Sequence, residues 1–311
     1  MNSPGWINPR MSQPAPASAA PALFDDEFLR KLGQIDLVAR KLFRGLLRGE
    51  HTTPRRGRGL EFADFRRYGA GDDFRHIDWN IFSRLDRLFV KLYASEEDIS
   101  LHVLIDASAS MDFGEPRKFD HARRIAAALA CIGLNNLDRV SLSAFAAELG
   151  ASLPGLRTRR HVPALLAFLR DLPCAGATHY APALRDFAAR ARGPAVVVLI
   201  SDLLAGDDLE AGIDALRARG HDVAIVQLLA EEEIAPALDG ALRLVDAEDG
   251  SALAVSVDAS LRAAYQRRLA RRLANIESYC LRRGVEYLRA STAIAFEDVV
   301  LKYLRQGSLL T

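Results

Sequence analysis

The 311-residue sequence has little lysine, few cysteines and no long apolar run, and each shortage removes a class of protein. Only Cys131, Cys174 and Cys280 occur, an odd and widely spaced set. That is neither a disulfide framework nor a zinc-ligand spacing, and it points to a reducing compartment, the cytoplasm. Cys131 and Cys280 fall in helical patterns, where packed free thiols are expected. No stretch reaches the roughly 18 apolar residues of a membrane span. The opening "MNSPGWINPRMSQPAPASAAPA" lacks a basic region followed by an apolar one, so it does not read as a secretory leader. Its Pro, Ala and Ser content predicts a disordered tail over residues 1–23, with Met11 as an alternative start. Lysine occurs five times, arginine supplies the other positive charges, and the net charge is only +1. No whole-molecule field therefore points to nucleic acid or to a membrane surface. Phosphate loops with a lysine, HExxH helices and evident Ser-His-Asp arrangements are also missing.

What is present is a soluble globular composition, 50% hydrophobic and 26% charged. Its length suits one large domain and an attached smaller unit. Residues Phe24 to Leu47 read as an amphipathic helix, with Phe28, Leu32, Ile35, Val38, Leu42 and Leu46 at three- and four-residue spacing and Asp25 and Asp26 at its start. Between Leu60 and Tyr93, "LEFADFRRY" and "RLFVKLY" flank "GAGDDFRHIDW" and predict a small β unit. From Ile99 onward, strands ("ISLHVLID", "RVSLSAFAAEL", "PAVVVLISDLL", "HDVAIVQLLA", "VEYLRAS") alternate with amphipathic helices. Near-continuous apolar strands of this kind predict a doubly wound, mostly parallel α/β sheet with helices on both faces. "RLVDAEDGSALAVSV" reads as a hairpin at the sheet edge. A long helix follows, from about Ser260 to Arg283, with Gly284 as its stop. The expected division is thus a tail (1–23), an N-terminal helix and β segment (24–98), and the α/β domain (99–311).

One stretch stands out. "LHVLIDASASMDF" is a buried strand that ends on Asp106, Ser108 and Ser110. Ligands of open α/β sheets sit outside the carboxyl ends of strands, at a topological switch point. Asp202, in "VLISDLL", ends another apolar strand, and Thr178, in "CAGATHYAPAL", lies in a turn before a helix. If their strands are neighbours, these five residues surround one point. All five offer oxygen, the chemistry of a hard cation such as Mg²⁺ or Mn²⁺. Two carboxylates just balance a divalent charge, so such an ion would still attract a further carboxylate from elsewhere. The plain competitor is that Asp106 and the serines only cap loops.

The pattern D-x-S-x-S, then a distant Thr, then a distant Asp resembles the metal-ion-dependent adhesion site of von Willebrand factor type A domains. Its members here would be Asp106, Ser108, Ser110, Thr178 and Asp202. "GRGLEFADFRRYGAGDDFRHIDWNIFSRLDRLFVKLY" in turn resembles the signature of bacterial domain-of-unknown-function family fifty-eight. That family joins a short N-terminal segment to a von Willebrand A-like domain, and its genes often neighbour one for a MoxR-type AAA+ ATPase. Longer members resemble membrane proteins with N-terminal spans, and this chain resembles a soluble member. The resemblance implies a non-enzymatic interaction or adaptor module that works with such an ATPase in chaperone-like assembly or activation of protein complexes. Its partner would be that ATPase, or a protein supplying an acidic side chain to the metal.

Within "GDDFRHIDW", Asp72, Asp73, Arg75, Asp78 and Trp79 allow three readings. One is a β turn with solvated charges and a buried Trp anchor. The favoured one is an internal network pairing Arg66 or Arg75 with Asp72 or Asp78. The third is a surface for the ATPase. His179, beside Thr178, reads as a solvated loop histidine rather than a ligand. In "LRAAYQRRLARRLANIESYCLRRG", Leu261, Tyr265, Leu269, Leu273 and Ile276 form a stripe, leaving the arginines as a solvated face and not a phosphate grip. The enzymatic alternative is a Mg²⁺-dependent phosphohydrolase with Asp106 as nucleophile. Aspartyl-phosphate hydrolases usually carry an acid two residues on, where this chain has Ser108.

Overall fold

The computed structural model describes residues 23–46, 61–69, 77–94, 100–135, 139–205, 208–248 and 250–306. The expected tail therefore lies outside the described residues, apart from residue 23. The first element, α1 (Asp26–Leu46), begins with Asp25 accepting a hydrogen bond from the Phe28 amide at 2.7 Å, which satisfies one of the amides left free at a helix start. Strand β1 (Glu61–Arg67) pairs antiparallel with β2 (Phe89–Ala94). A helix, α2 (Trp79–Leu85), lies between the two strands. Asp78 caps α2 through the amides of Asn80 and Ile81.

This corrects one reading of that segment. Trp79 is not a buried anchor: it is 61% exposed, its ring meeting Phe82 edge-on. A helix start on the surface turns the indole outward. Asp72, Asp73 and Arg75 lie outside the described residues, as does the side chain of Arg66, whose backbone is in β1.

The main sheet contains β3 (Ser100–Asp106), β4 (Arg139–Phe145), β5 (Leu149–Leu156), β6 (Val196–Ser201), β7 (Asp222–Leu229) and β10 (Glu286–Ser291), in the spatial order β10-β7-β6-β3-β4-β5. All neighbours are parallel except β4 and β5. Strand β5 was not anticipated, because "LGASLPGL" carries two glycines and a proline. At a sheet edge the missing proline N–H costs no ladder bond, so the strand is tolerated there.

The helices are α3 (Lys118–Asn135), α4 (Val162–Asp171), α5 (Tyr180–Arg190), α6 (Leu209–Ala218), the single turn α7 (Glu231–Ile234), α8 (Ala259–Arg283) and α9 (Phe296–Gln306). Alternation along the strands assigns them to two layers. Val103, Ile105, Val198, Ile200, Val226 and Leu228 share a core with residues of α1, α3, α4 and α9. Leu104, Val197, Leu199, Val223 and Ile225 pack with α5, α6 and α8. Both faces are covered, as near-continuous apolar strands require. Helix α1 joins the first core through Phe28, Leu32, Ile35 and Ala39. The expected hairpin exists as β8 (Gly240–Val245) and β9 (Ala252–Val257), but it is a separate two-stranded sheet and not an edge of the main one. Among the described residues, no helix is long and apolar enough to cross a membrane.

Two histidines in this core set an acid limit. Burial foremost, with His221 and Arg139 adding to it, lowers His102 to about 4. Burial and Arg124, opposed by Glu297, lower His121 to about 4. A depressed histidine favours the fold while neutral, so its contribution is complete above 6.5 and is lost as pH falls toward 4. For His121 the loss amounts to at most about 3 kcal/mol. Urea midpoints at about pH 7 and about pH 5 should therefore converge in His121→Gln relative to wild type. An equal drop in both proteins would show that His121 protonates freely in the fold.

Candidate functional site at the carboxyl ends of β3 and β6

Strand β3 leads to β4 on one side, and the chain later returns to lay β6 on its other side. The carboxyl ends of β3 and β6 thus flank the switch point of the sheet. Asp106 closes β3 and is fully buried. Its Oδ1 accepts the Ser108 amide at 3.0 Å, which bends the chain into one turn of 3₁₀ helix over Ala109–Met111. Its Oδ2 accepts the Ser201 hydroxyl of β6 at 2.6 Å. The Ser108 and Ser110 hydroxyls lie 3.1 Å apart. Asp202, immediately after β6 and also fully buried, accepts the Leu204 amide at Oδ1. Leu203, between them, is buried and held at φ 56°, a backbone region that costs a leucine energy and persists only where its surroundings enforce it.

Thr178 belongs to the connection from α4 to α5, which is stitched to the Asp106 loop. The Ala175 amide donates to Ala107 O and the Ala109 amide to Gly176 O, each at 2.8 Å, and Cys174 Sγ lies 3.0 Å from Ser108 O. Gly176 needs φ +90° to make this turn, a value that favours glycine. The same connection is tied to the chain after β6, because Asp208 accepts the Tyr180 and Ala181 amides at the start of α5. Gly212 allows that approach: a Cβ there would lie 2.7 Å from Leu184 Cδ1. Three loops distant in sequence are thus fastened pairwise. The loops that carry Asp106, Ser108, Ser110, Thr178 and Asp202 are joined, and Ser110 is the least buried of the five. His179 is exposed.

Several participants were not foreseen. Lys118, the first residue of α3, is completely buried. Its ammonium donates to Asp202 Oδ2 at 2.6 Å and to Glu233 in α7. Burial alone would lower this lysine, and the two carboxylates outweigh it, holding it above the ordinary range. Glu233 in turn accepts the Ala230 amide. Gln227 of β7 donates to the Asp202 carbonyl at 2.6 Å and accepts from the Tyr287 hydroxyl of β10. Arg272 of α8 donates to the carbonyls of Leu203 and Ala205 at 2.9 and 2.8 Å. That arginine is therefore a clamp on the Asp202 loop, not part of a solvated basic face. At the amino end of the same helix Leu261 and Tyr265 are largely exposed, so the apolar stripe is buried only toward Leu269 and Ile276.

Burial foremost, and Asp202 beside it, push Asp106 up to about 7, although hydrogen bonds from Ser108 and Ser201 pull it down. Two desolvated carboxylates at adjoining strand ends are costly unless a positive charge compensates them. The donor set is entirely oxygen, which suits Mg²⁺ or Mn²⁺ and not a thiophilic metal. Among the described residues no group of three or more His, Cys, Asp or Glu side chains forms a metal cluster, so hydroxyls must complement the two aspartates. Lys118 meets part of the charge at Asp202. Asp106 is held instead by the Ser108 amide and the Ser201 hydroxyl.

Residues 64–275 match the family described as Protein of unknown function DUF58. The chain belongs to the DUF58 family. An uncharacterised protein of Mycobacterium tuberculosis is 28% identical to this DUF58 chain over 258 residues, 81% of each sequence. Among solved structures, the conserved hypothetical protein BatB of Bacteroides thetaiotaomicron is 13% identical, with a TM-score of 0.43 over 67% of this chain and 98% of its own. A von Willebrand factor type A protein of Catenulispora acidiphila is 15% identical, with a TM-score of 0.34 over 45% of this chain and 35% of its own.

Proposed function

We propose that this chain is a non-enzymatic protein-interaction module that holds Mg²⁺ or Mn²⁺ at the strand ends and offers it to an acidic side chain of a partner. Asp106, Ser108, Ser110, Thr178 and Asp202 would hold the ion. Once bound, the ion supplies a hard Lewis-acidic position able to take one more carboxylate. The observation that carries this reading is the burial of Asp106 and Asp202 at adjoining strand ends of the switch point, among hydroxyls, with Asp106 held by an amide and a hydroxyl rather than by a cation. Ser201 and the Ser108 amide orient Asp106, Lys118 and the Leu204 amide orient Asp202, and Arg272 holds the loop that follows. The oxygens of both aspartates are thereby fixed before any ion arrives, which limits the ordering cost of binding.

A MoxR-type AAA+ ATPase is the partner that fits the family assignment, in chaperone-like assembly or activation of protein complexes in the cytoplasm. Three free thiols, two of them buried, favour a reducing compartment. The test is calorimetric titration of Mg²⁺ and of Mn²⁺ into wild-type protein and Asp106→Asn. Saturable one-site heat in wild type, abolished in the variant, is the expected result. Unchanged binding in Asp106→Asn, or no saturable heat in wild type, would overturn the reading.

A further inference from the structure

The hairpin of β8 and β9 forms no ladder with the main sheet. Most of it is exposed, including Leu244, Val245 and Leu253. Its tip nevertheless reaches the candidate site. The Thr178 hydroxyl donates to Glu248 Oε1 at 3.0 Å, and the Thr178 amide donates to Glu248 Oε2 at 3.3 Å. One carboxylate thus spans both hydrogen-bond donors of a residue that is itself buried. Glu248 is presented for this by the turn: its amide donates to Asp246 Oδ1 at 2.8 Å, while the Asp246 amide donates to Ser251 O and closes the hairpin. Glu248 is half-buried where the neighbouring tip residues Asp246, Ala247 and Gly250 are exposed. Nothing in the local strand pairing requires an acid there, since the turn is already closed by Asp246.

We propose that Glu248 is the acid the site takes from its own chain, and that the β8–β9 hairpin is a latch held on Thr178 by that carboxylate. The inference deepens the reading above, on which its link to a cation rests. It defines the partner as well. A competing ligand is a Glu or Asp carried at the tip of an extended or hairpin segment, and it must displace Glu248 to reach Thr178. The latch is suited to release, because most of its strand residues are exposed, its buried Val257 lies at the far end of β9, and the tip is tied to the site by one carboxylate.

Hydrogen exchange on the full chain, in Mg²⁺ and in chelator, with Glu248→Gln beside wild type, tests it. Glu248→Gln keeps the size of a partly exposed side chain and leaves the fold intact. Thr178→Val, which removes only the hydroxyl, is the second variant. The expected result is exchange about ten-fold faster or more at the amides of 240–257 in Glu248→Gln, with a smaller increase in Thr178→Val and no change in β3 or β6. Wild-type rates in Glu248→Gln would overturn the latch, whatever the ion titration gives. Faster hairpin exchange in Glu248→Gln together with no saturable Mg²⁺ or Mn²⁺ heat in wild type would uphold the latch and remove the cation reading.

Discussion

Lys118→Met is expected to destabilise the protein by about 3–5 kcal/mol, the usual cost of removing one partner from a buried ion pair. For a domain of this size that corresponds to a fall in melting temperature on the order of 10 °C. Lys118 is completely buried between Asp202 and Glu233. Methionine fills nearly the same volume, so the loss would come from charge rather than from a cavity. Lys118 also stands at the first position of α3, where the helix dipole disfavours a cation. The carboxylates, helped by the Phe113 ring 5.9 Å from the ammonium, therefore hold it there. Lys118→Arg should not restore wild-type stability, because a planar fork cannot replace a compact ammonium in a closed pocket. Differential scanning calorimetry in chelator and in Mg²⁺ provides the measurement. The proposed cation site adds a second expectation: Mg²⁺ should raise the melting temperature of Lys118→Met more than that of wild type, since fewer positive charges remain to offset Asp202. A variant that melts with wild type would mean that Asp202 does not depend on this ammonium.

Phe28→Ala should cost a further amount of the same order, about 3–5 kcal/mol. The ring is buried in the groove between α3 and α9, with ring centroids 5.0 Å from Phe24 and 5.1 Å from Phe296. Around it, Lys31 bridges Glu27 within α1 and Glu297 of α9, and Asn135 of α3 donates to Asp36. These surface pairs contribute little by comparison. Burial of the aromatic and of Leu32, Ile35 and Ala39 is what fastens α1 to the sheet's first core. The urea midpoint should fall while the slope stays constant if the protein unfolds as one unit. A change below about 1 kcal/mol would instead make α1 a peripheral attachment.

Much of the architecture was readable along the chain because both of its signals are local. Apolar runs such as "VLISDLL" mark strands covered on both faces, and the three- and four-residue spacing of Phe28, Leu32 and Ile35 marks the buried stripe of α1. Asp106, Ser108, Ser110, Thr178 and Asp202 were singled out for a different reason: Asp106 and Asp202 end apolar strands, and the order and spacing of the five resemble an adhesion-site pattern. Lys118 and Glu233 were not, since nothing local links a lysine at a helix start to an acid in a single helical turn far along the chain. The scarcity of lysine among so many arginines was the one available hint. Strand β5 was obscured by Pro154 and Gly155, which signal a loop unless the strand is known to be an edge. Trp79 was misjudged because an indole beside dense charge suggests burial, whereas the start of α2 turns it outward. Glu248 looked like one more acid in a hairpin turn, and only the docking of that turn on Thr178 distinguishes it.

The strand order has a consequence for the nascent chain. Ser201 and Asp106 touch although 95 residues separate them, and β3 needs β6 to cover its second edge. Synthesis proceeds from the amino terminus at roughly 5–20 residues per second. For on the order of ten seconds, β3 can therefore pair only with β4 and presents a long apolar edge. During that interval the charge of Asp106, without its serine partner, joins those of Glu96, Glu97 and Asp98 just ahead of β3 in opposing another chain at that edge. A residue that is costly in the finished fold thus guards the unfinished one.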